Sequence, residues 1–164
     1  MILFTGSKND YNRKHMTIRP ARAGDKNQWL ELWQGYLDYY QVDLGATRGN
    51  TANTWQRLMS PPSDGPFCLV FEDDTDHIVG FTHYVFHGHT WQPASRCYLI
   101  DLFTQTDLRG KGIGRALIEG VYCKANEHGC DQVYWLTQDF NEAGRRLYDQ
   151  VAEVTPFIKY QHSI

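Results

Sequence analysis

The stretch Arg109-Gly110-Lys111-Gly112-Ile113-Gly114 decides how this chain is read, because it stands between an apolar strand and an amphipathic helix. Upstream, Tyr98-Leu99-Ile100-Asp101-Leu102-Phe103 belongs to a run from Cys97 to Thr104 whose apolar character is broken only by Asp101, which predicts a strand inside a sheet. Downstream, Ile113, Leu117, Val121 and Ala125 recur at helical spacing, and Gly129 supplies a C-terminal stop for a helix from Gly112 to His128. Alternate glycines at a helix start let the backbone approach a ligand without interference from Cβ atoms. Successive N–H groups point outward there and the helix dipole favours negative charge, so a pyrophosphate is the natural guest. Arg109, Lys111 and Arg115 add cations around the same point. A dinucleotide-binding fingerprint requires glycine where Arg115 stands, and a Walker loop requires four residues between its glycines, so both rivals fail on spacing.

Outward from this loop, the chain reads as strands and helices in the order β-α-α-β-β-β-α-β-α-β. Met16 opens a strand at Thr17-Ile18-Arg19-Pro20. Asp25 is placed to cap a helix over 25–41, with Gln28 as its capping-box partner and Trp29, Trp33, Tyr36, Leu37 and Tyr40 on its apolar stripe. Gly45 and Gly49 interrupt the chain before a short helix from Thr51 to Met59, which Pro61-Pro62 ends. Phe67–Phe71 and Ile78–Phe86 form a hairpin around the acidic turn at 72–76. Beyond the glycine loop, Val133–Thr137 is a strand, Asn141–Gln150 a helix and Phe157–Tyr160 a last strand. Hairpins followed by a βαβ crossover predict an α/β (α+β) domain with a mixed, mostly antiparallel central sheet flanked by helices.

At 164 residues the chain suits one domain. Residues 1–15 are polar and read as a flexible extension, leaving 16–164 as the domain. A net charge of −3 gives no basic field, which argues against nucleic acid as a partner, and no apolar run approaches a membrane span. Cys68, Cys97, Cys123 and Cys130 form no CxxC pair and read as reduced thiols, as in a cytoplasmic protein.

Arg109, Gly112 and Gly114 fill the pattern Gln/Arg-x-x-Gly-x-Gly/Ala, and in this the chain resembles the GCN5-related N-acetyltransferase (GNAT) superfamily. Asn141, Ala143, Leu147 and Tyr148 resemble its later helix, with Ala143 offset by one. Gly80-Phe81, Tyr84, Trp91, Tyr98-Leu99 and Asp101 resemble the diamine acetyltransferase branch. Val133-Tyr134-Trp135 and Gly144-Arg145-Arg146-Leu147-Tyr148 resemble the fungal histone and D-amino-acid branch.

The resemblance implies acetyl-CoA as cosubstrate, no metal, a homodimer, and direct attack of a neutral amine on the thioester. It implies that Leu102, Phe103 and Thr104 grip the pantetheine arm and that the loop from Arg109 through Gly110, Lys111, Gly112, Ile113 and Gly114 to Arg115 holds the pyrophosphate. Asn141 bonds the pantetheine and Tyr148 donates a proton to the sulfur; the alternative is an N-cap asparagine beside a core tyrosine. The general base stays open. The diamine branch has a carboxylate where Ile100 stands, and Asp101 lies on the opposite face by strand alternation. Asp101 thus has a substrate role or a structural one, with Tyr98 or a water chain as alternatives. Trp91, Trp33, Tyr36 and Tyr40 are expected as aromatic walls for a cationic amine, with core packing as the alternative for all but Trp91. His83, which alternates with His87 and His89, is expected at the polar rim of the cleft rather than in a metal site. The acceptor is expected to be a primary amine of a small molecule, a polyamine or an amino acid. The alternatives are a lysine side chain or protein N-terminus, and a CoA-binding sensor without turnover.

Overall fold

The computed structural model describes residues 16–42 and 50–164, so the expected extension over 1–15 and the break at Gly45 and Gly49 lie outside the described residues. Five strands, β1 (Thr17–Pro20), β2 (Phe67–Glu72), β3 (Ile78–His87), β4 (Ser95–Thr104) and β5 (Cys130–Tyr134), form one sheet in chain order. The first four pair antiparallel and β5 pairs parallel to β4. A parallel neighbour requires a crossover, and α3 (Ile113–Glu127) supplies it. The mixed, mostly antiparallel sheet with flanking helices is the one the sequence predicts.

The two faces of the sheet carry separate cores. On one, Leu117, Ile118 and Val121 of α3 are wholly buried against Ile18, Leu69, Phe86 and Leu99. On the other, Trp29 and Leu32 of α1 (Lys26–Tyr39), with Trp55 and Leu58 of α2 (Asn50–Met59), cover Val70, Phe81 and Phe103. The last helix, α4 (Glu142–Val151), sets Leu147, Tyr148 and Val151 against the α3 side.

One irregularity positions the site. His83 lies opposite Asp101 but Tyr84 lies opposite Leu99, so Ile100 is an extra residue in β4. Such a bulge reverses side-chain alternation. Before it, Cys97 and Leu99 face the α3 core; after it, Phe103 joins the α1 core. Asp101 therefore turns toward α1.

Three elements differ from the sequence reading. The fifth strand begins three residues earlier, at Cys130, because the chain turns at Gly129 and pairs at once with Ser95. No strand forms at Phe157–Tyr160: the chain after α4 has no hydrogen-bonded strand partner among the described residues, and Phe157, Ile158 and Tyr160 are exposed. A four-residue segment such as Phe157-Ile158-Lys159-Tyr160 becomes a strand only where a neighbour pairs with it. Asp25 precedes α1 but makes no side-chain cap bond to it. Its carboxylate accepts instead from Arg19 Nη1 at 2.7 Å, Arg19 Nη2 at 2.9 Å and the Arg22 N–H at 2.6 Å. Burial opposes charge on Asp25, but these bonds hold its carboxyl below the usual range. Gln28 is likewise diverted, accepting the Ile78 N–H at 2.8 Å and tying α1 to the start of β3.

Candidate active site

The parallel pairing of β4 with β5 ends at Tyr98 and Tyr134, whose rings stack at 5.1 Å. β4 continues alone for six residues while β5 has ended, so its backbone edge is left without a strand on that side. Beyond the parting, the end of β4, the glycine loop, α4 and the end of α1 line a cavity of about 660 Å³. Leu102, Phe103 and Thr104 line it from β4, while Arg109, Gly110, Gly112, Ile113, Gly114 and Arg115 line it from the loop. Asn141 and Tyr148 face it from α4, and Tyr39 and Tyr40 close it from α1. Lys111 is exposed on the same loop.

The loop takes its shape from glycine. Gly110 and Gly112 have φ of +78° and +86°, a region that strains residues with a Cβ. Gly112 is the residue before α3, so the unpaired N–H groups of the first helical turn and the positive dipole end stand at the cavity. Nothing lies within 4 Å of where a Cβ would project from either glycine. The side-chain cations are disposed differently. The Arg109 guanidinium folds back over the Tyr39 and Phe103 rings, 5.3 and 5.7 Å from their centroids, and Arg115 donates to Gln150 Oε1 at 2.6 Å. An open cradle of N–H groups flanked by three cations fits an anionic phosphate chain.

On α4, Asn141 is the N-cap. Its Oδ1 accepts the Gly144 N–H at 3.1 Å and the Tyr39 hydroxyl at 3.4 Å, and its Nδ2 donates to Thr137 at 3.0 Å. A Cβ at position 144 would sit 2.5 Å from that amide, so the cap depends on glycine there. Tyr148 is half-buried, edge-on to Trp135 at 5.4 Å. No described residue hydrogen-bonds its hydroxyl. Burial first, and then neighbouring Tyr40 and Tyr39, push that hydroxyl up to about 12, which keeps it protonated through neutral pH.

Asp101, Tyr36 and His83 come together behind Tyr40. The Tyr36 hydroxyl donates to Asp101 Oδ1 at 2.5 Å, and Asp101 Oδ2 lies 2.9 Å from His83 Nδ1. Tyr36 touches Tyr40 ring to ring at 4.8 Å, which joins this cluster to the cavity wall. Burial and the adjacent Asp101 charge raise the Tyr36 hydroxyl well above its ordinary range, so it stays protonated and donates to the carboxylate. His83 was expected at the cleft rim; it is 2% exposed and packs inside, hydrogen-bonded to Trp29. Trp91 was expected in the cleft as well. It sits on the β3–β4 hairpin at the opposite end of β4 from the glycine loop, 78% exposed, with Arg96 5.6 Å over its ring. Among the described residues no group of three or more His, Cys, Asp or Glu is arranged to hold a metal ion. His87 meets Tyr134 and His89 meets Asp131, so the three alternating histidines have separate partners.

The sequence reading named Tyr40 among the aromatic walls but missed Tyr39. Their positions at the end of the α1 stripe are visible in the chain, but nothing there shows that this end arrives at the glycine loop.

This arrangement, parted parallel strands over a glycine-built anion cradle, is that of an acetyltransferase domain. Residues 28–152 match the acetyltransferase (GNAT) family, and the chain belongs to it. It is 30% identical over 148 residues to the D-amino-acid N-acetyltransferase HPA3 of Saccharomyces cerevisiae, covering 90% of this chain and 91% of that one. It is 34% identical over 140 residues to the thialysine N-epsilon-acetyltransferase of Bos taurus, covering 80% and 79%. Among solved structures, an aminoglycoside N-acetyltransferase in complex with CoA superposes with a TM-score of 0.77 at 16% identity, covering 93% of this chain and 97% of that one. A transcriptional regulator from Bacillus halodurans does so with 0.74 at 22%, covering 92% and 100%. These two likenesses concern the fold. The protein is an acetyltransferase enzyme.

Proposed function

We propose that the enzyme transfers acetyl from acetyl-CoA to the primary amine of a small molecule, an amino acid or polyamine. The observation that carries this reading is the cavity that joins a phosphate cradle at one end to the tyrosine wall before Asp101 at the other. The donor, when bound, supplies the activated thioester. Its phosphates are held by the N–H groups at Gly110–Gly114 with Lys111 and Arg115, and its pantetheine amides by the unpaired edge at Leu102–Thr104. Asn141 orients the same arm only with the hydrogen-bonding capacity its cap leaves free.

Asp101 receives the acceptor nitrogen and takes the proton it sheds as the new N–C bond forms. Tyr148 gives its hydroxyl proton to the sulfur as the C–S bond breaks. The Tyr148 role matches the protonated phenol described above. The two named relatives, one acting on D-amino acids and one on thialysine, support an amino-acid acceptor over a polyamine.

The test is CoA release with a panel of D- and L-amino acids, thialysine, polyamines and a lysine peptide. Turnover of an amino acid, thialysine or a polyamine supports the reading. Turnover of the peptide alone moves the acceptor to protein lysines, and tight acetyl-CoA binding without any turnover would overturn the enzyme's small-amine role. The reading places the reaction in the cytoplasm, which the four free cysteines support. A homodimer belongs to the same reading, supported by the exposed Phe157, Ile158 and Tyr160, and sedimentation analysis checks it.

A further inference from the structure

Asp101 is a carboxylate whose side chain is only 14% exposed. The titratable groups around it are His83 on β3, Tyr36 and Tyr40 on α1, Tyr98 on its own strand and Cys68 on β2. None of these is a lysine or arginine. A nearly buried carboxylate is ordinarily paired with a cation, and here the described neighbours offer only hydrogen bonds from neutral donors.

The donor on β3 has a defined origin. Trp29 is wholly buried, and its indole N–H can only donate; it points at His83 Nε2 from 3.1 Å. Nε2 must therefore be the acceptor nitrogen of the ring, which leaves the hydrogen on Nδ1, facing Asp101 Oδ2 at 2.9 Å. An imidazolium would place a second hydrogen on Nε2 against the indole N–H. The indole thus selects one neutral tautomer, and that tautomer presents a donor, without a charge, to the carboxylate. Tyr36 does the same for the other oxygen. Each oxygen keeps lone-pair capacity, and the negative charge is not cancelled from within.

We infer that Trp29 and His83 form a buried brace that orients the Asp101 carboxylate and leaves its charge for the acceptor, so that the missing counter-ion is the incoming ammonium. That ammonium releases one proton to solvent before it attacks as the neutral amine, and gives the second to Asp101 as the N–C bond forms. This rests on the reading of Asp101 as the acceptor's partner. Its Nε2 is occupied by the indole N–H and its Nδ1 faces the carboxylate, so His83 is a positioning residue and not a base. The bulge at Ile100 makes the brace possible, because it sets Asp101 directly across from His83.

The test combines kinetics with a spectroscopic readout. His83→Phe should raise the acceptor KM about 10- to 100-fold and leave the acetyl-CoA KM within about twofold, as loss of a hydrogen bond to a charged group does. His83→Gln, which can return an N–H donor, should recover part of that loss. Trp29→Phe keeps the apolar volume and removes only the indole N–H, and should raise the acceptor KM several-fold. Thermal melts identify any variant that fails to fold. In wild-type protein labelled with [15N]histidine, the His83 signal, assigned by its loss in His83→Gln, should show the Nδ1–H tautomer and change in Trp29→Phe. That readout does not depend on turnover. An Nε2–H tautomer in the wild type, or folded His83→Phe and Trp29→Phe enzymes with unchanged acceptor KM, would overturn the inference. If Asp101→Asn also leaves acceptor kinetics unchanged, the reading of Asp101 falls with it; if Asp101→Asn is impaired while the brace variants are normal, only the brace falls.

Discussion

The two ends of the cavity are built from different materials. The end proposed for the donor is built from backbone: positive-φ glycines, unpaired N–H groups at the start of α3 and the free edge of β4. The end proposed for the acceptor is a tyrosine wall backed by side chains brought together across the sheet, with Tyr36 and Asp101 65 residues apart in sequence and Trp29 and His83 54 apart. A backbone site tolerates change in side chains but not in conformation. A side-chain site has the reverse sensitivity.

The comparison can be broken by substitutions that hit one end and measure both. Tyr148, between the two ends, should give the largest effect: Tyr148→Phe lowers kcat by about 10²- to 10⁴-fold, the usual worth of a positioned proton donor, with acetyl-CoA affinity nearly unchanged. Because burial raises this hydroxyl to about 12, it is lost as a donor only as pH rises toward that value. The wild-type kcat profile should therefore show no alkaline limb from this group near neutrality. Next, Asp101→Asn should lower kcat/KM for the acceptor about 10- to 100-fold with no change in acetyl-CoA binding, in keeping with the worth of a charged hydrogen bond. Gly112→Val should do the opposite. Forcing a β-branched residue to φ near +86° costs about 1–2 kcal/mol, so acetyl-CoA should bind about tenfold more weakly while the acceptor KM is retained. The smallest effect is expected from Lys111→Ala, an exposed cation at the donor end. It should weaken acetyl-CoA binding about two- to fivefold at low salt and less at high salt, because exposed charges are screened. A Gly112→Val enzyme with intact donor binding, or an Asp101→Asn enzyme with impaired donor binding, would abolish the division.

That division also explains what could be read from the chain. The donor end is local: strand, turn and helix follow one another within Cys97–Glu127, and the glycine spacing carries the geometry. The architecture was legible for a similar reason, since the α1 and α3 patterns each bury one face and β3 is buried on both. The acceptor end was legible only in its membership. Tyr36, His83 and Asp101 were singled out, yet their mutual contacts depend on a bulge that no residue type announces, since Ile100 is an ordinary strand residue. Trp91 was misplaced because a matching residue type on a hairpin says nothing about which end of the sheet that hairpin occupies. Asp25 shows the same failure in small: its spacing suits a cap, but Arg19 and Glu72 arrive from neighbouring strands and form a buried cluster instead. Phe157–Tyr160 has strand composition without a strand partner, and pairing is not a property of the segment alone.

The extra residue at Ile100 works like a frame shift in a two-letter code. Upstream of it, β4 is written for the α3 wall; downstream, the same alternation is written for α1 and the cavity. Deleting Ile100 would close the ladder without transposing it, because Leu99 and Asp101 would become successive residues that already face opposite sides and already lie opposite Tyr84 and His83. Forcing Ile100 into the ladder as a paired residue would do the damage, sending the carboxylate and Phe103 to the α3 side.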